Sequence, residues 1–101
     1  MPDMDAVSGV FKALGDPLRL QILRLLPDAD CACKVYNVSG LAEKLNVPQP
    51  TVSHHLRTLK QAGVVKCRKT CRDVYYWIDR AALQASVDAL AGEIIPSDDH
   101  R

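Results

Sequence analysis

LAEKLNVPQPTVSHHLRTLKQAGVV, residues 41–65, decides the fold. Two helix-shaped patterns lie here on either side of a three-residue break. Leu41, Ala42 and Leu45 anchor a short helix, with Ser39 as its expected cap. Asn46-Val47-Pro48 reads as a turn. Pro50 suits the first turn of a second helix, and Gly63 closes it. On a wheel of about 100° per residue, Val52, Leu56 and Leu59 fall within one narrow sector. The opposite sector holds Pro50, His54, Arg57 and Gln61, with Thr51, Ser53 and Thr58 beside it. One side is built to pack and the other to offer donors, acceptors and charge.

Upstream, Val7, Val10, Phe11 and Leu14 recur at helical spacing over residues 5–14, and Gly15 ends that run. Asp16-Pro17 starts a further helix, which places Leu18, Ile22 and Leu25 on its core side, with Leu20, Leu23 and Leu26 widening the stripe. Pro27 stops it, and residues 27–38 form a polar connection carrying Cys31 and Cys33. Downstream, VVKC and DVYYWI read as two strands joined by a basic turn around Arg68–Arg72. A last helix over 80–92 sets Leu83, Val87 and Leu90 on one face. This order predicts a mainly α chain with a small β-hairpin, a winged helix-turn-helix. Residues 1–96 are expected to form one domain and 97–101 a disordered tail.

Charge points to the same segment. Residues 49–72 hold six of the thirteen Lys and Arg residues and none of the twelve Asp and Glu. The remainder carries seven bases against twelve acids, so a chain of net charge +1 has one concentrated basic stretch. A polyanion would be attracted there and repelled elsewhere. The expected partner is double-stranded DNA, with the helix from Pro50 in the major groove. Gln49, Thr51, Ser53 and His54 lie in its first two turns and are the expected base-edge readers. Arg57 and Lys60 are better placed for phosphate. His55 sits nearer the apolar edge and reads equally as a DNA contact or a packing residue. Arg68, Lys69 and Arg72 suit the minor groove or the phosphates beside it.

Other classes find little support. No apolar run approaches the roughly 20 residues that span a bilayer, and no secretory leader pattern opens the chain. A cytoplasmic protein with no membrane partner is expected, its four cysteines as thiols. No catalytic triad, phosphate loop or paired carboxylates are visible, so no enzymatic activity is expected. A winged helix that binds protein instead of DNA is the rival reading. It predicts weak salt dependence where DNA binding predicts a steep one.

FKALGDPLRLQILRLL (11–26), residues 41–65 and RDVYYWI (72–78) together resemble the ArsR/SmtB family of bacterial metal- and metalloid-responsive repressors. The resemblance implies a homodimer paired through its first and last helices. It implies binding to an imperfect inverted repeat, and repression relieved by an inducer. The leftover apolar faces at Val7, Val10 and Phe11 and at Leu83, Val87 and Leu90 give the dimer an independent reason.

No cofactor is expected to be needed for DNA binding. As(III) or a thiophilic metal ion is the expected inducer. Cys31-Ala-Cys33 places two soft donors on one face of an extended segment. It is similar to the family's C-x-C but lies several residues earlier, with no third cysteine close by. Cys67 and Cys71 flank the basic turn, where a tight hairpin would bring their Cα atoms within roughly 4.4–6.8 Å, close enough for a disulfide or a shared metalloid. A redox or persulfide sensor of the same fold is one alternative reading of these thiols, and plain thiols with no sensory role are another. The last helix lacks histidine, which argues against a zinc site there.

Overall fold

Short polar side chains set where the helices begin. Asp3 Oδ1 accepts the Ala6 N–H at 2.7 Å and opens α1, Met4–Leu14. Asp16 Oδ1 accepts from the Leu18 and Arg19 N–H groups at 2.8 and 3.3 Å, and Pro17 begins α2, Pro17–Leu25. The computed structural model describes residues 3–28 and 36–94. The remaining elements are α3 (Val38–Leu45), α4 (Gln49–Gln61), β1 (Val65–Thr70), β2 (Asp73–Ile78) and α5 (Arg80–Ile94). Among the described residues no helix is long and apolar enough to cross a membrane.

The cap of α3 is Asn37 and not Ser39 as expected. Both are good capping residues, but Asn37 Oδ1 reaches the Gly40 N–H at 2.7 Å, one turn into the helix. Ser39 falls inside the helix, exposed, where its Oγ accepts from Gln49 Nε2 at 3.3 Å. Asn46 ends α3 in the left-handed region at φ 58°, which an Asn tolerates better than most residues. Gly63 turns the chain from α4 into β1 at φ +81°, as its place in the sequence foretold. Gly15 also ends its helix, but at φ −82°, so no left-handed turn is required of it.

The core lies where α1–α4 meet the hairpin. Ile22, Leu41, Val52, Leu56 and Leu59 are wholly buried, and Val64 and Val65 nearly so. Leu23 and Leu26 join them, but Leu20 is 47% exposed, so the expected widening of the α2 stripe fails at that position. α1 packs against α5. The buried residues of α5 are Ser86 and Ala89. Of the apolar residues expected to be left over, Val7 and Val10 are buried instead, because α4 and α5 pack on α1, and Phe11 is half-buried. Leu83 and Leu90 are half-buried and Val87 is 42% exposed. Small side chains let α5 sit close on α1, which leaves the larger ones at the rim.

β1 and β2 pair antiparallel from Val65↔Ile78 through Cys67↔Tyr76 to Thr70↔Asp73. The connecting tip is therefore only Cys71-Arg72. The expected turn over 68–72 is shorter than the sequence suggested, because Arg68 and Lys69 pair with Tyr75 and Val74 as strand residues. Asp79 follows β2, accepts the Ala82 N–H at 3.1 Å and so caps α5. Helices 3 and 4 about a tight turn, followed by a two-stranded hairpin, make this a winged helix-turn-helix.

A candidate nucleic-acid interface

Helix α4 is divided lengthwise. Val52, Leu56 and Leu59 have no exposed surface. His54, Arg57, Lys60 and Gln61 are exposed on the reverse, with Gln49 exposed at the start and Thr51 and Ser53 half-buried between. Burying three branched side chains of this size contributes on the order of 5 kcal/mol, which fixes the roll of the helix and turns its polar face outward. Its N-terminus has no side-chain cap, since Pro48 offers none. Pro50 has no N–H, and the Thr51 and Val52 N–H groups donate to the Pro48 carbonyl at 3.1 and 3.3 Å, so what this end offers an anion is the positive end of the helix dipole.

The two adjacent histidines part company. His54 faces out, and its ring centre lies 5.5 Å from that of His55. His55 turns toward α2, where its Nδ1 accepts from Arg19 Nε at 2.9 Å. Arg19 also donates to the Ala13 carbonyl at 3.3 Å, which anchors it at the α1–α2 junction. Burial pushes the His55 pKa below its ordinary 6.5; Asp16 opposes the shift, and the charges of Arg19 and His54 add to it. Partial desolvation pushes the Asp16 carboxyl up, but the Arg19 and Leu18 N–H groups, helped by the nearby positive charge, hold it below 3.8. His55 is thus half-buried against Arg19, the placement that its packing reading requires.

The hairpin adds Arg68, Lys69 and Arg72, all exposed. Arg72 sits at the tip, while Arg68 and Lys69 are neighbours on β1 and so point to opposite faces. Lys66 is drawn away from this group by an ion pair with Asp79 at 3.4 Å. On the inner face of the hairpin Cys67 lies opposite Tyr76. Burial, then the Cys67 thiol, raises the Tyr76 pKa above 10.0, against the pull of Lys60 and Arg57. The charges of Lys60 and Arg57 on α4 therefore reach Tyr76 of the hairpin.

The expected closeness of Cys67 and Cys71 is not realised. Both are free thiols on the same arm of the hairpin, Cys67 within β1 and Cys71 beyond its end. The strand from Cys67 to Thr70 alone covers about 10 Å, well beyond disulfide reach. Cys71 occupies the left-handed region at φ 58°. Cys31 and Cys33 lie outside the described residues. Among the described residues no group of three or more His, Cys, Asp and Glu side chains could hold a metal ion.

Two contributing residues escaped the sequence reading. Nothing local marks Arg19 as the partner of a histidine 36 positions away. Asn37 did carry a signal, as a capping residue just ahead of an apolar run, but Ser39 competed for the same role.

A divided helix and a basic hairpin on a shared core define the winged helix-turn-helix class of DNA-binding regulators. Residues 16–66 match the family described as bacterial regulatory protein, arsR family, and the chain belongs to it. The family is one of DNA-binding transcriptional regulators and not of enzymes. An uncharacterised helix-turn-helix transcriptional regulator of Methanocaldococcus jannaschii is 44% identical over 80 residues, 77% of this chain and 83% of the relative. The cadmium resistance transcriptional regulatory protein CadC of Listeria innocua is 40% identical over 78 residues, 75% of this chain and 60% of the relative. The homodimeric winged helix-turn-helix domain of Mb0332 from Mycobacterium bovis superposes with a TM-score of 0.68 at 34% identity, covering 97% of this chain and 89% of that domain.

Proposed function

We propose that this chain is a homodimeric transcriptional repressor that holds an inverted repeat of operator DNA and releases it when a soft metal ion or As(III) binds its thiols. One observation carries the DNA half. The face of α4 opposite wholly buried Val52, Leu56 and Leu59 presents His54, Arg57, Lys60 and Gln61, next to a hairpin bearing Arg68, Lys69 and Arg72. Gln49, Thr51, Ser53 and His54 read base edges, and the Arg and Lys residues hold phosphate. The apolar groove between α1 and α5, lined by Met4, Val7, Phe11 and Leu90, supports pairing with a second copy, as does the likeness to a homodimeric domain.

For the inducer, the reading centres on Cys31 and Cys33. The connection that carries them is tied to β2 on both sides. The Ile78 N–H donates to the Pro27 carbonyl at 2.8 Å, and Asn37 bridges Tyr75. Thiolate capture of an ion between these ties would pull on the wing. The 40% identity to a cadmium resistance regulator supports a thiophilic inducer.

Titration on a DNA duplex at two salt concentrations tests the first half. Each neutralised phosphate should contribute a slope of about −0.9 in log K against log salt. A flat response would favour a protein-binding module. For the second half, the Cys31→Ser/Cys33→Ser variant should stay on DNA in the presence of arsenite or cadmium that releases the wild type. Equal release of both would remove these cysteines from the mechanism.

A further inference from the structure

Between residues 44 and 78 the chain has a single acidic residue, Asp73. It stands directly after the basic tip Cys71-Arg72, where a carboxylate facing phosphate would oppose binding. It instead accepts a hydrogen bond at 2.9 Å from Nδ2 of Asn37. The other side-chain atom of Asn37, Oδ1, accepts from the Gly40 N–H at 2.7 Å and caps α3. The amide orientation is set from both sides, because a backbone N–H can only donate and a carboxylate can only accept. Ser, Thr and Asp also cap helices, but none offers an amide donor at the same time. The Asn37 backbone pairs with Tyr75 of β2 as an isolated bridge. Gly40 makes room for the arrangement, since a Cβ there would stand 3.2 Å from Asn37 Oδ1 and 3.3 Å from the Tyr36 ring.

We infer that Asn37 is a positioning residue that latches the wing to the helix-turn-helix. One side chain fixes the first turn of α3 and the tip-proximal end of β2 together. The spacing between the wing and α4, which sits across a short turn from α3, is therefore held by a polar contact as well as by core packing. The latch also engages the one acid between residues 44 and 78, half-buried beside the exposed Arg72, in a hydrogen bond within the protein. The consequence for DNA rests on the function proposed above; the latch itself does not.

An exchange of donor and acceptor tests it on the full chain. Asn37→Asp keeps a good helix cap but cannot donate to Asp73, and places two carboxylates face to face. Asp73→Asn keeps an acceptor. The double variant N37D/D73N restores a donor–acceptor pair in the reverse sense. Two readings are taken: amide hydrogen exchange of the hairpin without DNA, and affinity for a duplex that the wild type selects from a random pool. N37D should speed exchange around Asp73 and Tyr75 and weaken duplex binding, each by about tenfold. D73N should stay near wild type, and N37D/D73N should recover both readings to within about twofold. Unchanged exchange in N37D, or no recovery in the double variant, overturns the latch. If the wild type selects no duplex while exchange behaves as stated, the latch stands and the DNA reading falls. If the wild type binds a duplex and N37D binds it equally well, the latch has no part in positioning the wing on DNA and the inference is overturned.

Discussion

Leu56 and Arg57 are neighbours in the chain with opposite duties. Leu56 is wholly buried and Arg57 is exposed. Leu56→Ala should cost about 2–5 kcal/mol in denaturant unfolding through the cavity it leaves. Arg57→Ala should leave unfolding nearly unchanged while lowering the salt slope of DNA binding by about 1. His55 adds a dependence on pH. Its folded pKa lies below the ordinary 6.5, so the unfolded chain takes up the proton more readily. Its contribution is full above pH 6.5 and is lost as the pH falls below that value. Protonation at Nδ1 would also replace the acceptor that Arg19 Nε uses. Melting temperatures at pH 8 and pH 5.5 should differ in the wild type, and the difference should shrink in His55→Gln. None of this pairing was legible beforehand, since the wheel could put His55 near an apolar edge but could not say which residue waits there.

Elements were more readable than their ends. Periodicity marked all five helices, because burial demands a stripe at helical spacing whatever the rest of the chain does. The cap of α3 is ambiguous in sequence because two capping residues, Asn37 and Ser39, lie two positions apart. The choice depended on which also met the hairpin, and Asn37 does so through Asp73. The wing differs from its local sequence signal in the same manner. Basic residues at 68–72 looked like a turn, yet pairing runs to Thr70↔Asp73 and leaves only Cys71 and Arg72 outside. Strand length here is set by the partner strand and not by local preference. Cys71 sits at φ 58°, a region that costs a non-glycine residue roughly 1–2 kcal/mol. Cys71→Gly should therefore raise stability, by on the order of 1 kcal/mol in denaturant unfolding. If it lowers stability instead, the thiol has contacts that offset the strain.

At the scale of the whole molecule, some apolar side chains lie outside the core, and the proposed pairing with a second copy would use them. Val87 is 42% exposed on α5, Met4 40% on α1, and Ile94 66% near the end of α5. Val87→Glu changes a residue outside the core, so helical content should persist by circular dichroism. Sedimentation should show a monomer, and both duplex affinity and salt slope should fall, the slope by about half as one of two α4 helices loses the DNA. A variant that stays dimeric with unaltered binding would move the pairing surface elsewhere.

Sequence alone was enough for the fold and for which side of α4 faces outward, because both follow from the spacing of apolar residues, and spacing is a local property. It was enough, too, to find the basic stretch, since charge can be counted without coordinates. What needed tertiary structure was every pairing between distant positions: Arg19 with His55, Asn37 with Asp73, Lys66 with Asp79, and the separation of Cys67 from Cys71. Such contacts depend on how helices and hairpin are set against one another. Packing settles that arrangement, and no single segment of the chain contains it.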